Sequence, residues 1–398
     1  MVIKLEKMHI KGTLVLAKGK EESLKRYHPW VFSGALSSVG DNIVDGDWVS
    51  VANHKKKTLG FGHFHSGTIA VRILHFNEKE PTENFWFEKI KTAYDQRFAA
   101  GILNEYTNAY RLVHGEGDGL SGLIIDMYNG VAIIQAHSVG MARDRDLIID
   151  ALKNIFKENV SAIYFKSPSA HQDKTADGYL FGMSIVPHII SEHGNKFYVD
   201  WESGQKTGFF LDQRENRKLL AAYAINKKVL NTFCYTGGFS VYALQAGAQL
   251  VHSVDASEKA IALTRKNIAL NNFDNDQHAS YTLDTFEFMK DKQDQYDVII
   301  LDPPAFAKHK SAKHQAMKGY QRLNAEAMRI VRKRGIIFTF SCSQVVSSKL
   351  FYDTIVSAAI QAGREIKVLQ HLSQPADHPV SIYHPEGEYL KGLVLYVN

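Results

Sequence analysis

Tyr296-Asp297-Val298-Ile299-Ile300-Leu301-Asp302-Pro303-Pro304-Ala305-Phe306 decides the fold of this chain. Its first half is a short apolar run with the length and β-branched content of a buried parallel strand. Pro303 and Pro304 cannot continue a ladder, and Pro303 pushes Asp302 into an extended conformation. A carboxylate therefore stands at the carboxyl end of a core strand, ahead of a rigid turn and an aromatic. Ligands of open α/β sheets bind at that edge. A strand followed by Pro-Pro is by itself also a stiff exit from a sheet, and the neighbouring motifs decide against that reading.

Outward from this stretch, strands and helices alternate from residue 228 on, the pattern of a parallel, doubly wound sheet. Lys228–Phe233 runs into Cys234-Tyr235-Thr236-Gly237-Gly238-Phe239-Ser240 and a helix. Leu250–Asp255 ends in a carboxylate, and Ser257 suits the cap of the next helix, whose Ile261, Thr264 and Ile268 share a face. Ala279–Leu283 is closed by Asp284, and Gly335–Ser343 follows the Asp302 strand. The strand ends thus offer Gly237 and Gly238, Asp255, Asp284 and Asp302. The glycines admit a ligand close to the backbone, and Asp255 is spaced to accept from ribose hydroxyls. The Gly-x-Gly-x-x-Gly spacing that a dinucleotide pyrophosphate needs is absent. S-adenosylmethionine has no phosphate and carries a sulfonium charge, which Asp284 and Asp302 suit better.

Before this domain, Gly204–Arg217 is dense in polar groups around Phe209 and Phe210 and opens a helix. Structurally it is a loop and a first helical turn; next to a nucleotide-type fold it also suits a ligand wall. Residues 77–188 change character, with a helix over Glu83–Ala100, strands at Leu123–Tyr128 and Val131–Ala136, a helix near 141–157 and a strand near 161–166. The glycine-rich Gly115–Gly122 precedes a strand instead of a helix, so a hairpin is expected there over a phosphate cradle. Residues 1–76 read as short strands punctuated by Gly, Asn and Asp, as in a small barrel. Within them Arg26-Tyr27-His28-Pro29-Trp30-Val31-Phe32 joins cation, aromatics and turn. It is either barrel core with an ordinary loop or a surface that stacks bases and meets phosphate. His54-Lys55-Lys56-Lys57 reads as a hairpin tip within reach of phosphate. His63 and His65 lack the further ligands a metal needs, so no metal is expected.

Composition agrees with a soluble globular protein of two or three domains. The 398 residues are 45% hydrophobic and 22% charged, with a formal charge of +5 that suits an acidic partner without requiring one. Two cysteines are too few for a disulfide framework, which points to a reducing, cytoplasmic setting. Met1–Lys7 carries no apolar core of a secretory signal, and no run is long enough to span a membrane.

With these motifs in place the chain resembles the RlmI-type ribosomal RNA large-subunit methyltransferases, class I S-adenosylmethionine enzymes. His28–Phe32, Lys206–Arg214, Phe233–Ser240, Asp302–Phe306 and Ser341–Ser343 carry the likeness, which covers nearly the whole chain. The resemblance implies an α/β protein with an N-terminal PUA β-barrel for RNA (1–76), a central EEHEE-type α/β domain (77–188) and a C-terminal Rossmann-like methyltransferase domain (189–398). It implies methylation of cytosine C5 in 23S ribosomal RNA, and it leaves a homodimer open. On this reading Gln213, Phe233, Tyr235, Thr236, Gly237, Gly238, Asp255, Asp284 and Asp302 bind the cofactor. Pro303, Pro304 and Phe306, with Arg26 and Trp30, meet the RNA.

Cytosine C5 is a poor nucleophile, and a thiolate added at C6 turns the ring into an enamine that attacks a methyl sulfonium. Cys342 follows a buried strand toward the same edge and is the expected nucleophile, although a cysteine there is also an ordinary small buried hydrophobe. By resemblance Asp302 holds the N3/N4 edge of the base and Phe306 stacks on it. Some RNA cytosine-C5 enzymes place a second cysteine directly after Pro-Pro; here that residue is Ala305, which leaves the group that removes the C5 proton unassigned. The alternatives are a guanine N-methyltransferase, which needs no thiol, and an RNA-binding relative without activity.

Overall fold

The computed structural model describes residues 8–166, 177–273, 276–290, 292–307 and 309–398; Met1–Lys7, read above for a signal segment, lies outside them. The chain forms two compact units. One contains Met1–His188, Asp200–Phe209 and Ala376–Gly387, the other Ile189–Val199, Phe210–Pro375 and Glu388–Asn398.

The first unit holds two sheets. Strands β1 (Ile10–Leu16), β2 (Trp30–Phe32), β3 (Leu36–Ser38), β4 (Trp48–Ala52), β5 (Thr58–Phe64) and β6 (Ile69–His75), with the short helix α1 (Glu22–Lys25), form one in the order β2-β6-β5-β4-β1-β3. Residues 54–57 are the β4–β5 hairpin tip, where the Asn53 carboxamide oxygen accepts from the amides of Lys55 and Lys57, each at 3.0 Å. After α2 (Phe85–Ala99) come β7 (Ala109–His114), β8 (Leu123–Tyr128), β9 (Val131–Ala136), helices α3 (Val139–Arg143) and α4 (Arg145–Phe156), then β10 (Ala162–Phe165) and β11 (Gly178–Gly182). They make the sheet β11-β10-β9-β8-β7. Strands β7 and β8 pair antiparallel across the glycine-rich loop, which is therefore a hairpin connection.

The helix expected near 141–157 is two helices meeting at Asp144, whose carboxylate accepts the Trp48 indole N–H at 2.7 Å and lies 3.0 Å from His63 Nε2. Trp48, Phe61 and Leu74 pack in one core with Trp86, Ile90, Leu112 and Leu152, so the two sheets share a hydrophobic interior. Residues 376–387 join this unit through Arg97. That fully buried guanidinium pairs with the Asp118 carboxylate and donates at 2.8 Å to the Asp377 carbonyl. A buried arginine must be paired to be tolerated, so these bonds specify where the segment docks.

The second unit opens with the hairpin β12 (His188–Glu192) and β13 (Asn195–Val199). There follow α5 (Arg214–Ala224), β14 (Lys228–Thr232), α6 (Gly238–Gln245), β15 (Leu250–Asp255), α7 (Glu258–Leu270), β16 (His278–Thr282), α8 (Thr285–Met289) and β17 (Tyr296–Leu301). The chain ends with α9 (Lys313–Ile330), β18 (Val331–Ser341), α10 (Ser348–Ala362), β19 (Ile366–Ser373) and β20 (Lys391–Val397). The sheet order is β16-β15-β14-β17-β18-β20-β19, with β20 antiparallel to both neighbours and β14 to β18 parallel. Chain order reverses between β14 and β17, which makes the carboxyl ends of those strands the topological switch point. Helix α9 covers one face with Tyr320, Leu323 and Met328, all fully buried at helical spacing; Leu323 and Met328 each stabilise the unit by roughly 1.5–3 kcal/mol. Among the described residues no helix is long and apolar enough to cross a membrane.

Candidate active site

The loop after β14 is the most contorted backbone in the second unit. Phe233, Tyr235 and Gly237 have φ of 52, 48 and 76°, and the first two pay the left-handed cost that glycine avoids. The surroundings hold it there. Asp255 accepts the Tyr235 amide on one carboxylate oxygen and the Ser257 amide on the other, each at 2.9 Å. From α7, Thr264 donates to the Tyr235 carbonyl at 2.9 Å and Asn267 to the Thr236 carbonyl at 2.8 Å. A Cβ on Gly237 would lie 2.7 Å from Thr264 Cγ2, and one on Gly238 3.0 Å from Arg217 Cδ, so both glycines permit close approach.

Arg217 itself is buried and doubly bonded to Glu192, at 2.8 and 2.7 Å, and donates to the Phe210 carbonyl at 3.0 Å. The Phe210 ring meets Tyr235 edge-on at 5.0 Å. Residues 210–217 thus line the glycine loop, whereas 204–209 belong to the first unit. Gln213 is buried, and its side-chain oxygen accepts from Asn216 at 2.6 Å.

Asp284 lies at the end of β16 and caps α8, accepting from the amides of Phe286 at 2.8 Å and Glu287 at 3.2 Å. Asp302 lies at the end of β17, beyond β15 and β14 in the same sheet. Carboxylates at three parallel strand ends, one beside a loop that exposes backbone, fit a ligand with ribose hydroxyls and a positive charge better than one with phosphates. Cys234 is buried, and burial followed by the nearby Asp255 pushes its thiol well up, which leaves it a packing residue.

The Asp302 and Cys342 segments are tied together. Ser343 Oγ donates to the Ala307 carbonyl at 2.6 Å, and Ser341 Oγ donates to the Tyr320 hydroxyl at 3.0 Å. Tyr320 is within electrostatic reach of both Cys342 and Asp302, and burial first of all raises its hydroxyl to about 12. Cys342 is half-buried at the end of β18. Phe306 does not stand clear of the protein; its ring packs on Tyr320 at 4.7 Å. Pro303 is buried and Pro304 exposed. Lys391, at the start of β20, is 6% exposed and donates to the Ser343 carbonyl at 2.7 Å. Burial lowers its ammonium to about 8, against attraction from Cys342 and Glu388.

Arg26 and Trp30 belong to the first unit. Arg26 is exposed after α1. Trp30 is committed within the protein, its indole N–H donating to Glu116 at 3.1 Å and Ser121 at 3.3 Å, with His384 edge-on at 4.4 Å. The exposed aromatics beside it are Tyr27, Phe32 and Tyr383. Ligand-type atoms of His28, His384 and Glu386 lie within 4.8 Å of one another. The Trp30 amide donates to His28 Nδ1 at 3.2 Å, which leaves the hydrogen on Nε2, facing Glu386. His384 Nε2 lies 3.9 Å from the Glu386 carboxylate, and both of its ring nitrogens are buried without a hydrogen-bond partner among the described residues. His63 and His65 are each paired with one carboxylate, Asp144 and Asp45.

Sequence reasoning missed Thr264 as a loop anchor, and it missed Asn267, Tyr320 and Lys391 altogether. The signal for Lys391 is the apolar run Gly392–Val397, which reads as a strand and places a lysine at its buried start.

Comparison with known proteins agrees with this geometry. Residues 167–379 match the S-adenosylmethionine-dependent methyltransferase family, and residues 14–76 match a PUA-like domain. A protein of Aeromonas hydrophila named ribosomal RNA large subunit methyltransferase I is 39% identical, with 96% of this chain and 99% of that protein covered. One of the same name from Pseudoalteromonas atlantica is 40% identical over 96% and 99%. The structure of SMU.776 complexed with SAH superposes with a TM-score of 0.85 at 25% identity, covering 98% of this chain and 100% of that one. S-adenosylmethionine is accordingly the cofactor, and the residues at the β14, β15 and β16 strand ends fit it. The chain belongs to the S-adenosylmethionine-dependent methyltransferases, in the family of its relatives named ribosomal RNA large subunit methyltransferase I.

Proposed function

We propose that this chain methylates carbon 5 of a cytosine in 23S ribosomal RNA, with Cys342 as the covalent nucleophile. The observation that carries the reading is the bond from Ser343 to the Ala307 carbonyl, which ties the thiol's segment to Asp302-Pro303-Pro304-Ala305-Phe306 at the switch point. Relatives named for ribosomal RNA support the substrate class.

S-adenosylmethionine supplies an electrophilic methyl group. Asp255 accepts from its ribose hydroxyls, using the lone pairs not taken by Tyr235 and Ser257, and Gln213, Phe233, Tyr235, Thr236, Gly237, Gly238 and Asp284 complete the cofactor side. Asp302 holds the N3/N4 edge of the cytosine, while Pro303 and Pro304 wall the pocket. Phe306 offers an edge to the base from its seat on Tyr320. Cys342 Sγ adds to C6, which makes C5 nucleophilic toward the methyl group that S-adenosylmethionine would supply, with S-adenosylhomocysteine leaving; loss of the C5 proton would then re-form the C5–C6 double bond and return the C6–S pair to sulfur. Arg26 and the exposed aromatics near it meet the RNA, Trp30 serving as their buttress. The setting is the cytoplasm, and a homodimer is an assembly for sedimentation to test.

The deciding experiment is mass mapping of methylated nucleosides in ribosomal RNA from a deletion strain. Loss of a single 5-methylcytosine supports the reading. Loss of a methylated guanine replaces it with N-methylation, and no loss at all favours an inactive RNA-binding relative.

A further inference from the structure

Lys391 occupies an unusual position for a lysine. Antiparallel register pairs it with Ser341, and its Nζ donates to the carbonyl of Ser343, so it spans the backbone that carries Cys342. It is almost fully buried, and a buried ammonium without a counter-charge is strongly disfavoured. The titratable groups that reach it are Cys342 and Glu388. Around the thiol, α9 contributes Tyr320, with Asp302 beyond it, and β20 contributes Lys391. Tyr320 stays protonated, and Asp302 as a carboxylate would oppose ionisation of the thiol. The hydroxyls flanking Cys342 already donate elsewhere, Ser341 to Tyr320 and Ser343 to Ala307. Lys391 is thus a cation placed to favour a thiolate.

We propose that Lys391 is a positioning residue that holds Cys342 as a thiolate: the thiol proton is lost to solvent, and the lysine ammonium, held on the thiol's own segment, stabilises the anion while its second role, the bond to Ser343, fixes the loop. This rests on the reading of Cys342 as nucleophile. The balance is simple. The S–H bond breaks, its proton passes to water, and the sulfur lone pair becomes the pair that bonds C6. When the adduct eliminates, that pair returns to sulfur opposite the same ammonium. Although burial brings Lys391 down to about 8, it remains mainly the ammonium near neutrality.

The test is the pH profile of Cys342 alkylation by iodoacetamide, followed by peptide mass mapping so that Cys234 is scored separately. Wild-type Cys342 should titrate below the ordinary thiol value of about 8.5. Lys391→Met should raise its apparent pKa by about one unit, and so slow alkylation at pH 7 about tenfold. Lys391→Arg, which keeps the charge, should retain the wild-type profile, an outcome that a purely structural lysine would not produce. Melting curves and SAH affinity report whether each variant is folded. A wild-type thiol titrating at or above about 8.5 overturns the proposal without any variant, and so does a folded Lys391→Met with an unchanged profile. The product nucleoside judges the C5 reading separately. A methylated guanine with a lysine-dependent thiolate would sink the function and leave the ion pair standing.

Discussion

Replacing Asp255 by alanine removes two things at once, and the structure separates their sizes. The carboxylate accepts the Tyr235 and Ser257 amides, each at 2.9 Å. Hydrogen bonds to a charged group contribute about 1.5–3 kcal/mol each. The carboxylate is only half-buried, so the lower end applies and the loss in unfolding free energy should be about 2–3 kcal/mol. Part of that loss is offset by strain released, because Phe233 and Tyr235 hold left-handed backbone that Asp255 helps to fix. Cofactor affinity falls by a separate amount, about 1–3 kcal/mol for the ribose hydrogen bond, or roughly 5- to 150-fold in Kd. Urea unfolding reads the first quantity and calorimetry with SAH the second. Asp255→Asn keeps one acceptor and should fall between alanine and wild type in both. A folded Asp255→Ala protein that binds SAH with wild-type affinity would refute the placement of the ribose at β15.

Gly237→Ala puts a side chain at φ 76° and 2.7 Å from Thr264 Cγ2; it should cost at least about 1–2 kcal/mol in stability and weaken SAH binding, both measurable by thermal shift with and without ligand. His278, bonded to Ser253 in the core, is lowered to about 4 by burial, then by His252 and Arg265. A folded-state value below the ordinary 6.5 means the unfolded chain binds the proton first, so stability is full above pH 6.5 and falls as pH drops toward 4, by up to about 3 kcal/mol. Urea midpoints across that window should flatten in His278→Gln. Replacing Lys55, Lys56 and Lys57 together by alanine should leave turnover on saturating RNA unchanged and reduce the salt slope of RNA binding by about 0.7 for each phosphate that these lysines neutralise. An unchanged slope removes the hairpin tip from the RNA surface.

The lysine substitution is preferable to deleting residues 1–76, because the shared core would lose Trp48, Phe61 and Leu74 with them. That sharing was not legible in the sequence, where a change of periodicity near residue 80 suggests an independent barrel. Strands β14, β15 and β17 were legible because a buried parallel strand is a short apolar run, and each ends beside a residue suited to a ligand. Strand β19 was not, since it is an edge with exposed positions that blur its pattern, whereas the apolar run of β20 does mark a strand with Lys391 at its start. Long-range pairings left no local trace at all. Nothing near Asp377 announces that its carbonyl will accept from Arg97, 280 residues earlier. Thr264 was read as one of a shared apolar face, and only the bond to the Tyr235 carbonyl reveals its second task. Trp30, an aromatic in a basic stretch that suggests base stacking, gives no local sign that its indole N–H is bonded to Glu116 and Ser121.

The account turns on covalent attack by Cys342, and substrate RNA carrying 5-fluorocytosine tests that directly. Fluorine at C5 blocks the final elimination, so wild-type protein with S-adenosylmethionine should give a protein–RNA band that survives denaturation. Cys342→Ala should give none while binding SAH as tightly as wild type, since only the bond-making step uses the thiol. A Cys342→Ala protein that still forms 5-methylcytosine, or a wild-type protein that yields methylated guanine and no adduct, would contradict the mechanism.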